Sequence, residues 1–238
     1  MSALPCVILA GGLGTRMRPY TAASPKAMIP VLGRPFAEWQ LEWLKREGVT
    51  DIVYSVAYRA EAIRNRFGSG QRFGVSIRYV DDGPVLLGTG GALRAAADQG
   101  ELPDAFFLLY GDSYPRVSLA ELQQVWIDGG GIAAMAVYPN EGRWDRSNVI
   151  FRDARVVLYD KRPDAALAGA RWIDSGVSVL RRAEVVGRIE PARVYDVADL
   201  LHELSVEGKL AGLEATERFY EAGSAEGLRE LEGYLSES

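Results

Sequence analysis

A glycine-rich loop that carries two arginines follows the first apolar run of the chain. The run is Pro-Cys-Val-Ile-Leu-Ala at residues 5–10, and residues 11–18 read Gly-Gly-Leu-Gly-Thr-Arg-Met-Arg. The run predicts a strand buried on both faces of a sheet. Glycines let backbone N–H groups approach a polyphosphate, and Arg16 and Arg18 add positive charge. Because ligands of open α/β sheets bind beyond the carboxyl ends of the strands, this loop predicts a phosphate-binding site.

Two common phosphate loops do not fit this sequence. A dinucleotide-binding fingerprint that starts at Gly12 requires glycine at position 17, which is Met17, and no acidic residue ends the second strand. A Walker loop that starts at Gly11 requires Gly-Lys at positions 16 and 17, which are Arg16 and Met17. The loop therefore argues against a dehydrogenase and against a P-loop ATPase.

A lysine and several carboxylates are the other residues that could do chemistry. Lys26 lies between Pro25 and Pro30, on a segment too rigid and too apolar for an ordinary solvated charge. Cys6 and His202 are the only cysteine and histidine of the chain. An internal disulfide, a cysteine-rich zinc site and a multi-histidine metal centre are therefore excluded. A metal ion in this protein would be held by oxygen.

The composition is that of a globular, enzyme-sized protein. The 238 residues are 48% hydrophobic and 25% charged, which is typical of soluble domains. A formal net charge of −5 gives no positive surface for nucleic acid or an anionic membrane, so we expect neither as a partner. The apolar runs are far shorter than the ~20 residues of a membrane helix, and the first residues do not resemble a secretory signal. We expect a cytoplasmic protein.

Predicted strands and helices alternate along the first half of the chain. Apolar runs at residues 51–56 and 105–110 predict buried strands, and apolar stripes at helical spacing separate them. This alternation is typical of an α/β fold whose mostly parallel sheet is covered on both faces. After a helix at 118–128, short strands linked by turns predict a small β-rich extension. Because no linker or repeat is present, we expect one domain over residues 1–238.

The glycine loop and the lysine segment together resemble one known family. Residues 11–16 match the GG-x-G-T-R loop, and residues 24–30, Ser-Pro-Lys-Ala-Met-Ile-Pro, match the P-K-x-M-x-P segment of the sugar-1-phosphate nucleotidylyltransferases. The resemblance extends from Val7 to the last predicted helix. It implies the Rossmann-like, doubly wound fold of nucleotide-diphospho-sugar transferases, with a nucleotide-binding half at about 1–115 and a sugar-binding half at about 116–238.

The resemblance also implies a reaction and the residues that perform it. Such enzymes transfer a nucleoside monophosphate from a nucleoside triphosphate (NTP) to a sugar 1-phosphate and release pyrophosphate. In-line displacement at phosphorus depends on positioning and on charge neutralisation. By resemblance, Arg16 and Lys26 hold the triphosphate, and Asp112 and Lys161 complete the catalytic set. Asp112, in the family's G-D dipeptide, would bind Mg²⁺ together with Glu221.

The remaining implied contacts divide between the nucleotide and the sugar phosphate. The nucleotide contacts are Leu9, Ala10, Gly11, Gly12, Gly14, Thr15, Arg16, Lys26, Tyr58, Asp82, Gly88, Thr89 and Gly111. The sugar-phosphate contacts are Gly90, Asp160, Lys161, Asp174 and Gly176. The family also has an acidic residue at the base pocket, and both Asp81 and Asp82 match it.

Three positions depart from the family pattern. Glu221 replaces an aspartate, Asp160 replaces a glutamate and Asp174 replaces an asparagine. Glutamate remains a hard oxygen ligand suited to Mg²⁺. An ionised carboxylate only accepts hydrogen bonds, whereas an amide also donates them. Asp174 therefore indicates a changed hydroxyl pattern on the sugar.

The segment Leu-Gly-Thr-Gly-Gly-Ala at residues 87–92 bears on the substrate. It looks most similar to short family members that act on mannose-type sugars, including D-glycero-D-manno-heptose 1-phosphate guanylyltransferases, which implies GTP as the favoured nucleotide and a role in polysaccharide biosynthesis. The alternatives are a uridylyl- or thymidylyltransferase for glucose-like or N-acetylmuramate 1-phosphate, and a non-catalytic sugar-nucleotide sensor. We expect a bare catalytic domain without an appended β-helix, as a monomer or homodimer.

Overall fold

The computed structural model of the chain describes residues 2–12, 25–57, 59–83, 85–162 and 167–237. The helices in these ranges are α1 (Phe36–Arg46), α2 (Ala60–Phe67), α3 (Gly88–Asp98), α4 (Leu119–Asp128), α5 (Arg182–Arg188), α6 (Val197–Val206) and α7 (Ala225–Glu237). The strands are β1 (Cys6–Leu9), β2 (Pro30–Val31), β3 (Arg34–Pro35), β4 (Asp51–Val56), β5 (Ser76–Asp81), β6 (Ala105–Tyr110), β7 (Ser113–Tyr114), β8 (Ala133–Pro139), β9 (Val149–Arg152), β10 (Arg155–Tyr159), β11 (Trp172–Arg181), β12 (Leu210–Glu214) and β13 (Tyr220–Glu221). The strands predicted at 51–56 and 105–110 form β4 and β6 with those bounds.

Four parallel strands make one side of the main sheet. The strand order of the nine-stranded sheet is β5-β4-β1-β6-β11-β8-β12-β10-β9, and its first three pairings are parallel. Strand β1 is central, with Val7 opposite Val53 on β4 and Leu108 on β6. The carboxyl ends of β5, β4, β1 and β6 therefore share one edge, where the glycine-rich loop begins.

The other side of the sheet is largely antiparallel. Strand β11 runs antiparallel to both β6 and β8, whereas β12 is parallel to β8. The β11–β8 pairing is irregular between Asp174 and Ser178, and Gly176 in this bulge has a φ of +84°, a conformation that favours glycine. The expected α/β class with a mixed sheet is confirmed, and its antiparallel strands are concentrated in the second half of the chain.

Helices cover both faces of the main sheet. Neighbouring side chains of β1 point to opposite faces, so Ile8 belongs to one buried apolar cluster and Val7 to the other. Helices α1, α2, α4 and α7 pack on the first face, and α3, α5 and α6 pack on the second. Burial on both faces explains why the central strands are continuous apolar runs. No helix in the described ranges is long and apolar enough to cross a membrane.

A two-stranded ribbon connects distant parts of the chain. Strands β7 and β13 pair antiparallel, with Tyr114 opposite Tyr220 and Ser113 opposite Glu221. Strands of two residues carry no periodic signal, so the sequence did not predict this pairing. The ribbon brings the segment that precedes α7 to the carboxyl end of β6.

Candidate active site

A cavity of about 370 Å³ opens where the parallel strands end. It lies at the edge at which ligands of open α/β sheets bind. The residues that line it are Leu9, Ala10, Gly11, Gly12, Lys26, Ala27, Ser55, Asp82, Leu86, Leu87, Gly88, Thr89, Ala92, Tyr110, Gly111 and Asp112. The cavity therefore joins the described part of the glycine loop, the lysine segment and the end of β6.

Lys26 and Asp112 meet at this edge as an ion pair. Lys26 opens a short 3₁₀ turn over Lys26–Met28, and its Nζ lies 2.5 Å from Asp112 Oδ2. Asp112 follows Gly111, where a Cβ atom would lie 2.5 Å from the carbonyl oxygen of Leu9. Only glycine fits that position, because β1 and the loop after β6 approach so closely there. The backbone thus presents the Asp112 carboxylate directly beside a fixed cation.

Glu221 joins this pair from the carboxyl-terminal side of the chain. The backbone N–H of Ala222 donates to the Asp112 carbonyl oxygen at 2.8 Å. A Cβ atom at Gly223 would lie 2.9 Å from Lys26 Nζ and 3.3 Å from Asp112 Oδ2, and closer still to Glu221 Oε2. Two carboxylates and one ammonium group therefore surround Gly223.

The donor set around Gly223 fits Mg²⁺. Mg²⁺ in phosphate-transfer sites is held by one or two carboxylates and by substrate phosphates, and Asp112 and Glu221 supply two carboxylates beside the cavity. The Glu221 carboxylate is oriented by Gly223 N–H and by the Ser224 hydroxyl, each donating at 2.6 Å. Within the part of the chain that the structure describes, no cluster of three or more Asp, Glu, His or Cys side chains is placed to hold a metal by itself.

Asp82 also lines the cavity, and no cation within the described ranges lies beside it. It is buried, its Oδ1 accepts a 2.5 Å hydrogen bond from the Ser55 hydroxyl, and its Oδ2 packs against Gly11. Burial raises the pKa of Asp82 to about 6, although the Ser55 hydrogen bond opposes this. Asp81 is exposed and pairs with Arg64 at 2.7 Å. Of the two acids that match the base pocket, Asp82 is therefore the one that lines the cavity.

The turn that begins α3 is fastened to the start of α6. The Thr89 hydroxyl donates to Asp196 Oδ1 at 2.8 Å and accepts from Val197 N–H at 2.8 Å. Gly90 N–H donates to the Tyr195 carbonyl oxygen at 2.9 Å, and a Cβ atom on Gly90 would strike the Tyr195 ring. Thr89 lines the cavity, whereas Gly90 packs against Tyr195 outside the lining.

The other sugar-side candidates lie on β11 or directly after β10, and none of them is among the residues that line the cavity. Lys161 follows β10, and its Nζ lies 5.0 Å from the centre of the Tyr110 ring, which lines the cavity. Asp160 instead binds the Arg162 side chain and backbone N–H, and the Arg162 side-chain hydrogen bond lowers the pKa of Asp160 to about 2. Of the neighbours Asp160 and Lys161, the lysine is the one that contacts a residue of the cavity lining.

Asp174 is buried in the bulge of β11. Its Oδ1 accepts from Gly176 N–H at 2.8 Å, and its Oδ2 accepts from the Tyr159 hydroxyl at 3.3 Å. Burial raises the pKa of Asp174, and the positive charge of Lys161 opposes the rise. A Cβ atom on Gly176 would lie 2.5 Å from Ser113 Cβ. Gly176 therefore allows the bulge to pack against the residue that follows Asp112.

Two residues of the site were not singled out from the sequence. Ser55 orients Asp82, and Tyr110 lies beneath Lys161. The signal for Ser55 was a hydroxyl inside the otherwise apolar end of β4, and the signal for Tyr110 was its place directly before Gly111. The predicted contacts Gly14, Thr15, Arg16 and Tyr58 lie outside the described residues.

The family of the chain follows from a comparison with known protein families. The model described as "Nucleotidyl transferase" matches residues 6–143, which is more than half of the chain. The match includes β1, the Lys26 turn and Asp112. This protein belongs to the nucleotidyl transferase family.

Individual relatives agree with that family. The UTP--glucose-1-phosphate uridylyltransferase of Synechocystis sp. is 31% identical over 218 residues, which cover 86% of this chain and 56% of that protein. The D-glycero-alpha-D-manno-heptose 1-phosphate guanylyltransferase of Aneurinibacillus thermoaerophilus is 29% identical over 160 residues, which cover 67% of this chain and 68% of that protein. The chain thus spans little more than half the length of the first relative.

A solved structure shows the same fold. HddC from Yersinia pseudotuberculosis, in complex with GMP-PN, matches with a TM-score of 0.75 and 23% identity over 98% of this chain and 99% of that chain. The shared architecture includes both sides of the main sheet, since nearly all of each chain is covered.

Proposed function

We propose that this protein transfers a nucleoside monophosphate from an NTP to a sugar 1-phosphate, giving a nucleoside diphosphate sugar and pyrophosphate. The observation that carries the proposal is that Lys26 and Asp112, which line a cavity large enough for a small ligand, meet Glu221 around Gly223. Membership of the nucleotidyl transferase family supports the reaction class.

The proposed chemistry is a single displacement at the α-phosphorus. A phosphate oxygen of the sugar 1-phosphate forms a bond to that phosphorus, and the bond to the bridging oxygen of pyrophosphate breaks. Lys26 offsets negative charge on the phosphates, and Lys161 binds the incoming sugar phosphate. When bound by Asp112 and Glu221, Mg²⁺ would add positive charge at the phosphates. No side chain becomes covalently attached, so the site needs no cysteine or histidine nucleophile.

We further propose GTP and a heptose or mannose-type 1-phosphate as the substrates. Guanine presents two adjacent N–H donors on one edge, and the ionised Asp82 carboxylate is an acceptor in the lining of the cavity. The name of the guanylyltransferase relative and the nucleotide in the HddC complex agree with this choice. A uridylyltransferase acting on glucose 1-phosphate is the second candidate, because the Synechocystis relative carries that name.

A pyrophosphate-release matrix tests both the reaction and the substrates. Four NTPs are each combined with the 1-phosphates of glucose, mannose, N-acetylglucosamine and heptose, in the presence of Mg²⁺. We expect one nucleotide and one sugar to stand out, with GTP and heptose or mannose 1-phosphate as that pair. Tight binding of a nucleotide sugar without pyrophosphate release from any pair would instead identify a non-catalytic sensor.

A further inference from the structure

A buried glutamine supports the loop that carries Asp112. Gln40 lies on α1 and is fully buried. Its Nε2 donates to the carbonyl oxygen of Tyr110 at 3.0 Å and to that of Ser113 at 2.8 Å. These carbonyl groups stand on either side of Gly111 and Asp112, so one amide group holds both ends of the short connection between β6 and β7.

Stability alone is a poor explanation for this amide. Gln40 lies on a helix whose buried neighbours include Leu41 and Leu44. Its Oε1 has no hydrogen-bond partner within the described ranges of the chain. The buried Oε1 without a partner carries the desolvation cost of an unpaired polar atom, which offsets much of what the two Nε2 hydrogen bonds contribute to stability. What Gln40 adds is a fixed position for the loop.

Gln123 provides a comparison within the same molecule. It lies on α4 and is almost as buried, but both ends of its amide are paired. Its Oε1 accepts from Leu4 N–H at 3.1 Å, and its Nε2 donates to the Ser2 carbonyl oxygen at 3.2 Å. These partners precede β1, so Gln123 acts at the edge of the sheet opposite the cavity. The two glutamines thus make the same kind of contact to backbone, one at the active site and one far from it.

We propose that Gln40 is a positioning residue, which holds the Asp112 carboxylate where it binds the divalent cation and the phosphates. The inference rests on the function proposed above, because the cation is needed only if Asp112 serves phosphoryl chemistry. Gln40 contacts no substrate in this account. It acts through the backbone on either side of Asp112, as groups behind metal ligands commonly do.

The test compares Gln40→Met and Gln40→Glu with Gln123→Met in the full-length protein. Both Gln40 variants remove the amide donors. Gln40→Met does so with an apolar side chain and Gln40→Glu with a polar one, so the inference can still be tested if one of the two variants does not fold. Binding of Mn²⁺ in the presence of pyrophosphate is followed by electron paramagnetic resonance, and kcat and KM are measured with the pair found in the matrix. Thermal unfolding is recorded for each variant.

We expect both Gln40 variants to bind Mn²⁺ about 10- to 100-fold more weakly and to lose kcat by a similar factor. Their KM for the sugar 1-phosphate should stay as in the wild type. Gln123→Met should lower only the thermal stability. Gln40 variants that match Gln123→Met in Mn²⁺ affinity and kcat overturn the inference. If the wild-type protein binds Mn²⁺ but shows no turnover, the proposed function is contradicted. Weaker Mn²⁺ binding in the Gln40 variants alone would then still support the inference about Gln40. If no protein, wild type included, binds Mn²⁺, both the proposed function and the inference are overturned.

Discussion

Asp112 and Asp174 are two aspartates of the candidate site, one directly after a strand and one in a strand bulge, and their surroundings differ. Asp112 is partly exposed and pairs directly with Lys26 at 2.5 Å. Asp174 is buried in a bulge and is held by Gly176 N–H and the Tyr159 hydroxyl, with burial raising its pKa. The first carboxylate has a cation in contact, and the second depends mainly on neutral hydrogen-bond donors.

We call the part of the site around Lys26 and Asp112 the phosphate end and the part around Lys161 and Asp174 the sugar end. The difference between the two aspartates indicates that these ends have different roles. A partly exposed carboxylate beside a cation can exchange partners when a metal ion and phosphates arrive. A buried carboxylate in a fixed network has few alternatives, so it is suited to select a ligand by its hydroxyl groups. The phosphate end should therefore control the rate, and the sugar end should control the choice of sugar.

The largest expected effect comes from Asp112→Asn. The substitution keeps the size of the side chain and removes the charge that pairs with Lys26 and would hold the metal ion. We expect kcat to fall by at least ~10³-fold, similar to the loss of a main electrostatic group in other active sites, while the circular dichroism spectrum stays unchanged. A rate close to that of the wild type would remove Asp112 from the mechanism.

Asp82 is a third carboxylate of the site, and it is buried with no cation beside it in the described part of the chain. Its pKa in the folded protein is about 6, above its ordinary value of 3.8. Between those values, unfolding releases a proton, so the free energy of unfolding falls as the pH rises through this window and then levels off. At about 1.4 kcal/mol per pKa unit, the total loss is about 3 kcal/mol.

Denaturant unfolding from pH 4 to pH 7 measures this effect in the absence of nucleotide. We expect Asp82→Asn to lose the downward slope and to be more stable than the wild type at pH 7. Asp81→Asn is the matched control, because that neighbouring acid is exposed, and it should keep the slope. Identical slopes in wild type and Asp82→Asn would show that burial does not disfavour the charged form of Asp82.

Asp174→Asn should have the smallest effect, and one confined to the sugar. The substitution introduces the amide that the family pattern has at this position and removes one charged acceptor. A hydrogen bond to a charged group contributes about 1.5–3 kcal/mol. We expect kcat/KM for the preferred sugar 1-phosphate to fall about 10- to 100-fold, with the KM for the NTP unchanged. Steady-state kinetics with each substrate varied in turn distinguish an effect on the sugar 1-phosphate from an effect on the NTP. A change in the KM for the NTP alone would reverse the roles assigned to the two ends.

More of the phosphate end than of the sugar end could be predicted from the sequence. Asp112 follows an apolar run, and the parallel strands place the carboxyl ends of β1 and β6 at one edge. Lys26 lies well beyond the end of β1, and its role at the phosphates was implied by the family resemblance and not by the strand order. The α/β class could be predicted from the alternation of elements.

The sugar end could not be predicted in the same detail. The bulge at Gly176 arises where β11 pairs with β8, a strand distant in sequence. The same holds outside the sugar end for the β7–β13 ribbon, which brings Glu221 to Asp112, and for the bond between Thr89 and Asp196. Such contacts depend on tertiary packing and leave no periodic trace. The burial of Asp174 is of this kind.

The most direct test of the account is the stoichiometry of the products. Wild-type protein, Mg²⁺, the preferred NTP and the preferred sugar 1-phosphate are incubated, and pyrophosphate and nucleoside diphosphate sugar are quantified together. We expect equal amounts of the two products, none when the sugar 1-phosphate is omitted, and loss of both in Asp112→Asn. Pyrophosphate released without a sugar 1-phosphate, or undiminished products from Asp112→Asn, would contradict it.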